Sequence, residues 1–221
     1  MEKKIVKTSD GSNTLFIPKL NETYHSIHGA INESKHVFIQ EGLRYLGPYK
    51  KVSILEVGFG TGLNALLSLV ESNSCKRKLE YTSIDAFPLN WELVSQLNYL
   101  KELSLPNYES FFKKMHTCNW GNYVNISRCF DLRKLEIDIK SICFESEFNL
   151  IYFDAFAPTI QPELWTKQIF TSMFKSLKPN GVLVTYCAKG IVKRVLKEVG
   201  FELQSISGPP GKREMSRAIK Y

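Results

Sequence analysis

The sequence contains no long apolar run, and nowhere does it approach the roughly 18 consecutive apolar residues from which a transmembrane helix is predicted. Its first residues, MEKKIVKTSDG, are charged and polar and lack the apolar core of a signal peptide. The five cysteines are odd in number and include no CxxC pair, which fits unpaired thiols in a reducing compartment. These absences predict a cytoplasmic protein that does not cross a membrane.

Motifs of several common enzyme classes are also missing. The sequence has no Gly-Lys-Ser/Thr motif, which a phosphate-binding P-loop requires. It has no Tyr-x-x-x-Lys pair after a central strand, which a short-chain nicotinamide oxidoreductase would need. His25 and His28 form an HxxH pair, but no Cys or carboxylate cluster completes a zinc site around them. We therefore predict that the protein has no metal site.

Positive charge is in excess only near the end of the chain. The sequence has 29 Lys and Arg residues against 22 Asp and Glu residues, a net charge of +7. Ten of the basic residues and three of the acidic ones lie between Lys175 and Tyr221, so the charges of the preceding residues balance. A basic face formed late in the fold predicts an anionic partner, with nucleic acid as the leading candidate. The alternative is a solvated surface that only aids solubility.

Apolar segments typical of buried strands alternate with helix-like segments after residue 48. This order predicts right-handed βαβ crossovers and a mainly parallel sheet. The last two strands have no helix between them, so we expect them to be antiparallel neighbours. The predicted strands are residues 52–57, 81–85, 123–130, 149–156, 181–187, 201–206 and 215–221. The predicted helices are residues 63–70, 91–97, 132–142, 162–177 and 191–199.

The predicted fold class is therefore α/β, a doubly wound, Rossmann-like sheet of seven mostly parallel strands with helices on both faces. Residues 1–48 are predicted to form an extension that packs on this core. The extension begins with a hairpin around Asp10-Gly11 and continues as one or two helices. Residues 49–221 are predicted to form the main domain.

The segment ILEVGFGTGLN, residues 54–64, joins the first strand of the predicted main sheet to its helix. Ligands of open α/β sheets bind beyond the carboxyl ends of the strands, which is where this segment lies. Its glycine spacing is G-x-G-x-G, whereas dinucleotide sites have G-x-G-x-x-G. Glu56 stands two residues before Gly58, and a carboxylate there disfavours a pyrophosphate but attracts an ammonium or sulfonium group. The segment therefore favours S-adenosylmethionine over NAD.

Three more carboxylates are placed at the ends of predicted strands. Asp85 ends the second strand, where a carboxylate can accept hydrogen bonds from both hydroxyls of a ribose. Asp131 lies just past the third strand, where it either meets an adenine amino group or caps the next helix. Asp154 begins DAFAP after the fourth strand, where a reacting group would enter, and helix capping is again the alternative. Together these carboxylates indicate a nucleoside-binding site.

Several motifs together resemble one family: YHSIHGAINESKHVFIQ, EVGFGTGLN, SIDAFPL, YFDAFAP followed by Trp165, LKPNGVLVTYCAKG and PPGKREM. They are similar to the MnmC-type methyltransferases, which use S-adenosylmethionine to complete 5-methylaminomethyl-2-thiouridine in tRNA. The resemblance covers nearly the whole chain. It implies a class I methyltransferase fold for residues 49–221 and conversion of 5-aminomethyl-2-thiouridine at the wobble position of the tRNA anticodon loop.

The resemblance also implies roles for single residues. The glycine segment carries the methionine end of the cofactor, Asp85 the ribose, Asp131 the adenine side, and Asp154 faces the methyl group as the catalytic residue. The implied cofactor-binding residues are Glu56, Gly58, Gly60, Thr61, Gly62, Asn64, Asp85, Asp131 and Asp154. Phosphate contacts are expected from Lys189, Lys193, Arg194, Lys212, Arg213 and Arg217. Phe156 and Trp165 are candidates for stacking on a splayed-out base, with core packing as the alternative.

In many bacteria this methyltransferase domain is fused to a flavin-dependent oxidase. Because the chain ends at Tyr221, directly after the last predicted strand, we expect the stand-alone form, and a separate upstream oxidase is left open as a partner. Two other functions remain: a methyltransferase of another small amine or of a protein, and a non-catalytic domain that only binds RNA. The basic end of the chain disfavours the first, and the full set of carboxylates and glycines disfavours the second.

Overall fold

The computed structural model describes all 221 residues, which form two sheets with connecting helices. The strands are β1 Lys4–Lys7, β2 Asn13–Ile17, β3 Glu22–Thr23, β4 Lys51–Val57, β5 Lys78–Ile84, β6 Tyr123–Ser127, β7 Phe130–Leu135, β8 Phe148–Phe153, β9 Leu177–Thr185, β10 Glu202–Ser207 and β11 Glu214–Ile219. The α-helices are α1 Ala30–Ser34, α2 Leu63–Cys75, α3 Trp91–Val94, α4 Tyr99–Glu102, α5 Glu109–Thr117, α6 Lys167–Ser176 and α7 Gly190–Val199. A π-helix over Lys35–Arg44 continues α1, and single 3-10 turns cover Pro18–Leu20, Pro106–Tyr108, Ile139–Ser141 and Pro162–Leu164. No helix combines the length and apolar character that crossing a bilayer requires.

The main sheet has the strand order β10-β11-β9-β8-β4-β5-β7-β6. Strands β9, β8, β4, β5 and β7 pair in parallel, and the strands outside them are antiparallel. The chain moves outward from β4 to β5 and β7 on one side, and from β8 to β9 on the other. The topological switch point therefore lies between β4 and β8, where a ligand site is expected in such sheets. The predicted α/β class with a mostly parallel sheet is confirmed.

Side chains of the central strands alternate between two hydrophobic clusters. In β4, Val52 and Ile54 belong to the first cluster, whereas Leu55 and Val57 belong to the second. The first cluster includes side chains of α2, α5 and the π-helix, and the second includes side chains of α6 and α7. Both clusters consist of buried residues, so both faces of the sheet are covered, as a parallel sheet requires.

The N-terminal segment contains the predicted hairpin, since β1 and β2 are antiparallel with Ile5 opposite Leu15. The predicted helical region is also present, as α1 and the π-helix. Leu15 and Ala30 share a third hydrophobic cluster with Leu66 of α2, so this segment packs on the helix layer of the main sheet. A division of the chain at residue 48 stays a prediction.

The segment between α5 and β8 differs from the prediction. A single strand over residues 123–130 and a helix over residues 132–142 are both wrong, because β6 and β7 form an antiparallel hairpin that turns at Arg128 and Cys129. The additional strand gives the main sheet eight strands, where the sequence predicts seven. Alternate residues of β7 are buried, which is the period of a strand. The turn contains no Gly, Asn, Asp or Pro, so the usual signal of a tight hairpin is missing.

Arg217 of β11 is only 9% exposed and is occupied by protein partners. Its guanidinium donates to Glu41 Oε2 at 3.0 Å and to Gln204 Oε1 at 2.9 Å. The same group lies 3.5 Å from the centroid of the Tyr45 ring. The expectation that Arg217 contacts a tRNA phosphate is therefore wrong, because this side chain joins the last strand to β10 and the π-helix.

Replacement of Arg217 by Leu should lower the free energy of unfolding by about 3 kcal/mol, because Glu41 would be left partly buried without its cation. The matched control is Arg213→Leu, which changes an exposed arginine four residues earlier and should have an effect within about 0.5 kcal/mol. Urea denaturation of both variants measures the difference. Equal effects of the two replacements would contradict a structural role for Arg217.

Candidate active site

A cleft of about 970 Å³ opens beyond the carboxyl ends of β4, β5 and β8, at the switch point of the main sheet. The loops that follow these three strands form much of its lining. Residues 21–27 and Glu33 line it from the N-terminal segment, and Lys212 lines it from the loop between β10 and β11. The cleft is therefore assembled from segments that are far apart in the sequence.

The glycine segment forms the turn between β4 and α2. Gly58 and Gly60 line the cleft with φ angles of 90° and 48°. A Cβ atom at Gly60 would lie 3.2 Å from the ring of Tyr24, so the backbone approaches this ring closely. Gly62 begins α2 with a φ angle of 72°, and a Cβ atom there would lie 2.5 Å from His116 Nε2. The backbone of Gly58 and Gly60 therefore faces the cleft. Gly62 does not line the cleft and instead allows close packing against His116.

Asp85 immediately follows β5 and lines the cleft. Its Oδ2 accepts a hydrogen bond from the Gly60 backbone N–H at 2.9 Å, and its Oδ1 accepts one from the Phe87 N–H at 2.8 Å. These bonds fix the carboxylate, while each oxygen keeps a further lone-pair site for a ligand hydroxyl. Asp85 therefore lies at the end of a strand and next to the glycine segment, as the sequence predicts.

Asp154 immediately follows β8 and lies on the other side of the switch point. Its Oδ2 accepts a hydrogen bond from Asn64 Nδ2 at 2.8 Å. Burial and the nearby Glu33 raise the pKa of Asp154 to about 7, although Asn64 and Lys212 act in the opposite direction. Near neutral pH this carboxyl group can therefore either hold or accept a proton.

Two charged residues that face Asp154 come from opposite ends of the chain. Lys212 Nζ donates to Glu33 Oε2 and lies 3.8 Å from the centroid of the Tyr186 ring. Glu33 Oε1 accepts a hydrogen bond from the Ser26 N–H at 3.0 Å. Lys212 was predicted from the sequence, but Glu33 and Tyr186 were not, since no local signal marks an ion pair whose members are separated by most of the chain.

Glu56 lies beneath the surface of the cleft and does not line it. The residue is fully buried in β4, and its Oε2 accepts a hydrogen bond from Ser83 Oγ at 2.7 Å. Burial raises the pKa of Glu56 to about 8 and the nearby Asp154 acts in the same direction, whereas Ser83, Tyr81 and Asn64 act in the opposite one. Because burial favours the neutral form of this carboxyl group, the position of Glu56 does not support the expected attraction of a cationic ligand.

Asp131 lies near the amino ends of the parallel strands, whereas the cleft lies at their carboxyl ends. It is the second residue of β7, stands beside Glu80 of β5 and binds Lys78 Nζ at 2.6 Å. The expectations that Asp131 meets an adenine or caps a helix are therefore both wrong. Asp138 follows β7 and lines the cleft, and its Oδ1 accepts a hydrogen bond from the Lys140 N–H. Asp138 was not predicted as a site residue, because residues 132–142 were predicted to form a helix.

His25 and Thr61 are buried in the wall of the cleft. His25 Nδ1 is 3.1 Å from Thr14 Oγ1, and Thr61 Oγ1 accepts a hydrogen bond from Tyr99 OH at 3.2 Å. Burial lowers the pKa of His25 to about 4, so its ring is neutral near pH 7. The structure contains no group of three or more His, Cys, Asp or Glu side chains that could hold a metal ion.

The two aromatic candidates have different environments. Phe156 lines the cleft, and its ring packs edge to face against Tyr24 with 5.2 Å between the ring centroids. Trp165 is 5% exposed, donates its Nε1–H to the Phe156 carbonyl oxygen and packs on Phe153. Core packing, the stated alternative, therefore describes Trp165, whereas Phe156 remains available inside the cleft.

The remaining basic residues also divide by environment. Lys189 and Arg194 are exposed at the start of α7, which follows β9 at the cleft edge of the sheet, and Arg213 is exposed in the loop before β11. Lys193 is half-buried and binds Glu214 Oε2 at 2.7 Å. Lys212 lines the cleft, where its side chain is 31% exposed and paired with Glu33. The exposed cations therefore lie near the cleft but outside it.

Residues 99–221, more than half of the chain, match a family model described as S-adenosyl-L-methionine-dependent methyltransferase. The chain belongs to this methyltransferase family. Its activity is therefore methyl transfer, and its cofactor is S-adenosyl-L-methionine.

Curated relatives and a solved structure are similar to the methyltransferase over nearly its whole length. One relative is the tRNA 5-methylaminomethyl-2-thiouridine biosynthesis bifunctional protein MnmC of Idiomarina loihiensis, which is 30% identical to this chain. The alignment covers 88% of this chain and 35% of the length of that protein. The protein of the same name from Nitrosospira multiformis is 27% identical, over 91% of this chain and 34% of its own. The MNMC2 structure from Aquifex aeolicus has a TM-score of 0.74 at 24% identity, over 98% of this chain and 69% of that one. The resemblance to the MnmC type is confirmed, and the methyltransferase spans about a third of the length of these curated relatives.

The cleft suits this cofactor by its own geometry. Its volume is within the range of small-molecule sites, and the glycine turn lets a ligand approach the backbone. The fixed carboxylate of Asp85 is suited to a ribose diol, and Asp138 offers a second acceptor beyond the neighbouring strand. Asp154 lies across the switch point from both. From these placements we expect the nucleoside end of the cofactor on the β5 and β7 side of the cleft and the reacting end on the β8 side.

Replacement of Asp138 by Ala should weaken binding of S-adenosylhomocysteine about tenfold, because removing an acceptor for the adenine amino group costs about 1.4 kcal/mol. The matched control is Asp131→Ala, which removes an aspartate from the other end of the same hairpin and should change the affinity less than twofold. Isothermal titration of both variants measures the effect. Weaker binding in the Asp131 variant alone would restore the role that the sequence analysis gave to that residue.

Proposed function

We propose that the methyltransferase converts 5-aminomethyl-2-thiouridine to 5-methylaminomethyl-2-thiouridine at the wobble position of tRNA. The relatives named for biosynthesis of this nucleoside support the proposal. The observation that carries it is Asp154, a half-buried carboxyl group that lines the cleft at the switch point, whose pKa near 7 suits it to take a proton from an amine. Since the chain spans about a third of these bifunctional relatives, we also propose that an upstream oxidase activity supplies the aminomethyl group.

The reaction requires a neutral amine, and the protein must provide for this. An alkyl amine with a pKa near 10.4 is mostly protonated at pH 7, and freeing its lone pair costs about 4 kcal/mol. When bound, S-adenosyl-L-methionine supplies a methyl group on a positively charged sulfur. Asp154 orients the amine and accepts its proton, while burial of the cleft disfavours the ammonium form. The Glu33–Lys212 pair is placed to position the acceptor group beside Asp154.

The tRNA is proposed to bind across the mouth of the cleft. The exposed cations Lys189, Arg194 and Arg213 contact phosphates, which fixes the anticodon loop relative to the cleft. A wobble base must leave the stack of the loop to bring its amine to Asp154. Phe156, which packs against Tyr24, offers an aromatic surface for that base inside the cleft.

The direct test is methyl transfer from labelled S-adenosyl-L-methionine to tRNA from a strain that lacks this gene. The product nucleosides would be separated and identified by mass. A gain of one methyl group on 5-aminomethyl-2-thiouridine is the expected result. Cofactor binding without labelling of tRNA would instead favour a methyltransferase of a small amine or of a protein.

Replacement of Asp154 by Asn should lower kcat about 100-fold, because the variant has no proton acceptor at this position. The affinity for cofactor should change less than threefold. In the wild-type protein kcat/KM should fall as the pH drops below about 7, since Asp154 is then protonated and cannot accept a second proton. Pre-steady-state methyl transfer at several pH values measures both effects. Unchanged turnover in the variant would remove Asp154 from the mechanism.

The exposed cations make a separate prediction about salt. The double replacement Lys189→Gln and Arg194→Gln should weaken tRNA binding and reduce the slope of log Kd against log salt concentration by about 0.7 to 0.9 for each phosphate that is no longer bound. The control Lys175→Gln changes an exposed lysine at the end of α6, away from the cleft, and should leave the slope unchanged. Filter binding at several salt concentrations measures the slopes. Equal slopes in all three proteins would argue against the proposed tRNA surface.

A further inference from the structure

A cluster of five polar side chains forms part of the floor of the cleft, between β4, β5, α2 and the end of β8; four of them are buried and the fifth, Asp154, is half-buried. Its members are Glu56, Asn64, Tyr81, Ser83 and Asp154. Two hydrogen bonds are formed within it: Ser83 Oγ donates to Glu56 Oε2, and Asn64 Nδ2 donates to Asp154 Oδ2. Three buried atoms of the cluster have no partner, namely Glu56 Oε1, Asn64 Oδ1 and Tyr81 OH. Unpaired buried polar atoms are costly, so this arrangement calls for an explanation.

A proton on Glu56 explains two of the three unpaired atoms, Glu56 Oε1 and Asn64 Oδ1. An ionised carboxylate and an amide oxygen are both acceptors, so Glu56 and Asn64 cannot pair through Oε1 and Oδ1 while Glu56 is charged. A hydrogen on Oε1 turns the glutamate into a donor toward Asn64, and it leaves Oε2 free to accept from Ser83. Asn64 then has its oxygen occupied by Glu56 and its amide hydrogen on Asp154, which fixes the orientation of the amide group.

We propose that Glu56 is a protonated positioning residue that holds Asn64, and through Asn64 the carboxylate of Asp154, in the orientation that the acceptor amine requires. The proposal rests on the proposed function, since it takes Asp154 to be the group that meets the amine. In this proposal Glu56 orients other side chains and does not contact the positively charged end of the cofactor. Glu56 acts through other residues, so it touches neither cofactor nor substrate.

The surroundings of Glu56 favour the protonated form. The side chain has no exposed surface, and the titratable groups that face it are Tyr81 of β5, Tyr152 of β8 and Asp154. None of them is a cation, and an ionised Asp154 would repel a second negative charge nearby. Ser83, Tyr81 and Asn64 lower the pKa of Glu56 by hydrogen bonding, but burial outweighs them, and a neutral acid accepts the bond from Ser83 Oγ as well.

The first test compares the thermal stability of wild type and Glu56→Gln between pH 5 and pH 8, without substrate. The folded-state pKa of Glu56 is about 8, above its ordinary value of 4.5. The unfolded chain therefore releases this proton first, and wild-type stability should fall as the pH rises through that interval. Glutamine does not titrate, so the Tm difference between variant and wild type should change steadily with pH, in favour of the variant at higher pH. A difference that stays constant would overturn the protonated state of Glu56.

The second test separates positioning from cofactor contact with two variants of similar size. Glu56→Gln keeps a donor for Asn64 and should retain kcat within about threefold. Glu56→Met cannot form the hydrogen bonds and should lower kcat by about 30-fold or more, while the Kd for S-adenosylhomocysteine changes less than threefold. Weaker cofactor binding in both variants would overturn the proposal and show that an ionised Glu56 contacts the cofactor.

The outcomes also distinguish this proposal from the proposed function. If wild type methylates no tRNA, the proposed function fails, yet the stability measurement still decides whether Glu56 is protonated. If tRNA is methylated and Glu56→Met has wild-type kcat, the positioning role fails and the proposed function stands. The variant Asn64→Asp gives a further readout, because a second carboxylate beside Asp154 should move the acid limb of the kcat/KM profile to higher pH. An unmoved profile would contradict the contact between residues 64 and 154.

Discussion

The parallel pairing of β4 with β8 is the constraint on which the site depends. Val57 pairs with Phe153 in register, so the chain leaves both strands at the same level of the sheet. A Cβ atom at Gly58 would lie 3.4 Å from the Asp154 carbonyl oxygen, which shows how closely the two loops approach. The glycine segment and the carboxyl group assigned to proton acceptance are thereby brought together from strands separated by about 90 residues of chain.

The acceptor side of the cleft is built on this base by segments outside the parallel strands. Glu33 comes from α1 and Lys212 from the loop between β10 and β11, and their ion pair joins the N-terminal segment to the last hairpin. The same hairpin is fixed from behind by Arg217, which is bound to the π-helix. The basic side chains near the end of the chain therefore have three different tasks: structural support, lining of the cleft and, as proposed, contact with phosphates.

Much of the fold follows from the sequence because its signals are local. The apolar strands, their alternation with helices and the positions of Asp85 and Asp154 at strand ends were all predictable from segments of fewer than ten residues. The β6–β7 hairpin was not, since Arg128-Cys129 has no turn signal, and this one error placed Asp131 at the wrong edge and concealed Asp138. The burial of Glu56 could not be predicted from nearby residues either. Its position in the sequence suggests a charged group that binds the cofactor, whereas the packed core around it favours the neutral form.

We propose that the cofactor lies between Asp85 and Asp154, with Glu56 beneath it and out of contact. A crystal structure with S-adenosylhomocysteine would show this arrangement. We expect both ribose hydroxyls within hydrogen-bond distance of Asp85 and the thioether sulfur on the Asp154 side of the cleft. We also expect no ligand atom within hydrogen-bond distance of the Glu56 carboxyl group. A ribose bound away from Asp85, or a ligand amino group bound to Glu56, would contradict this arrangement.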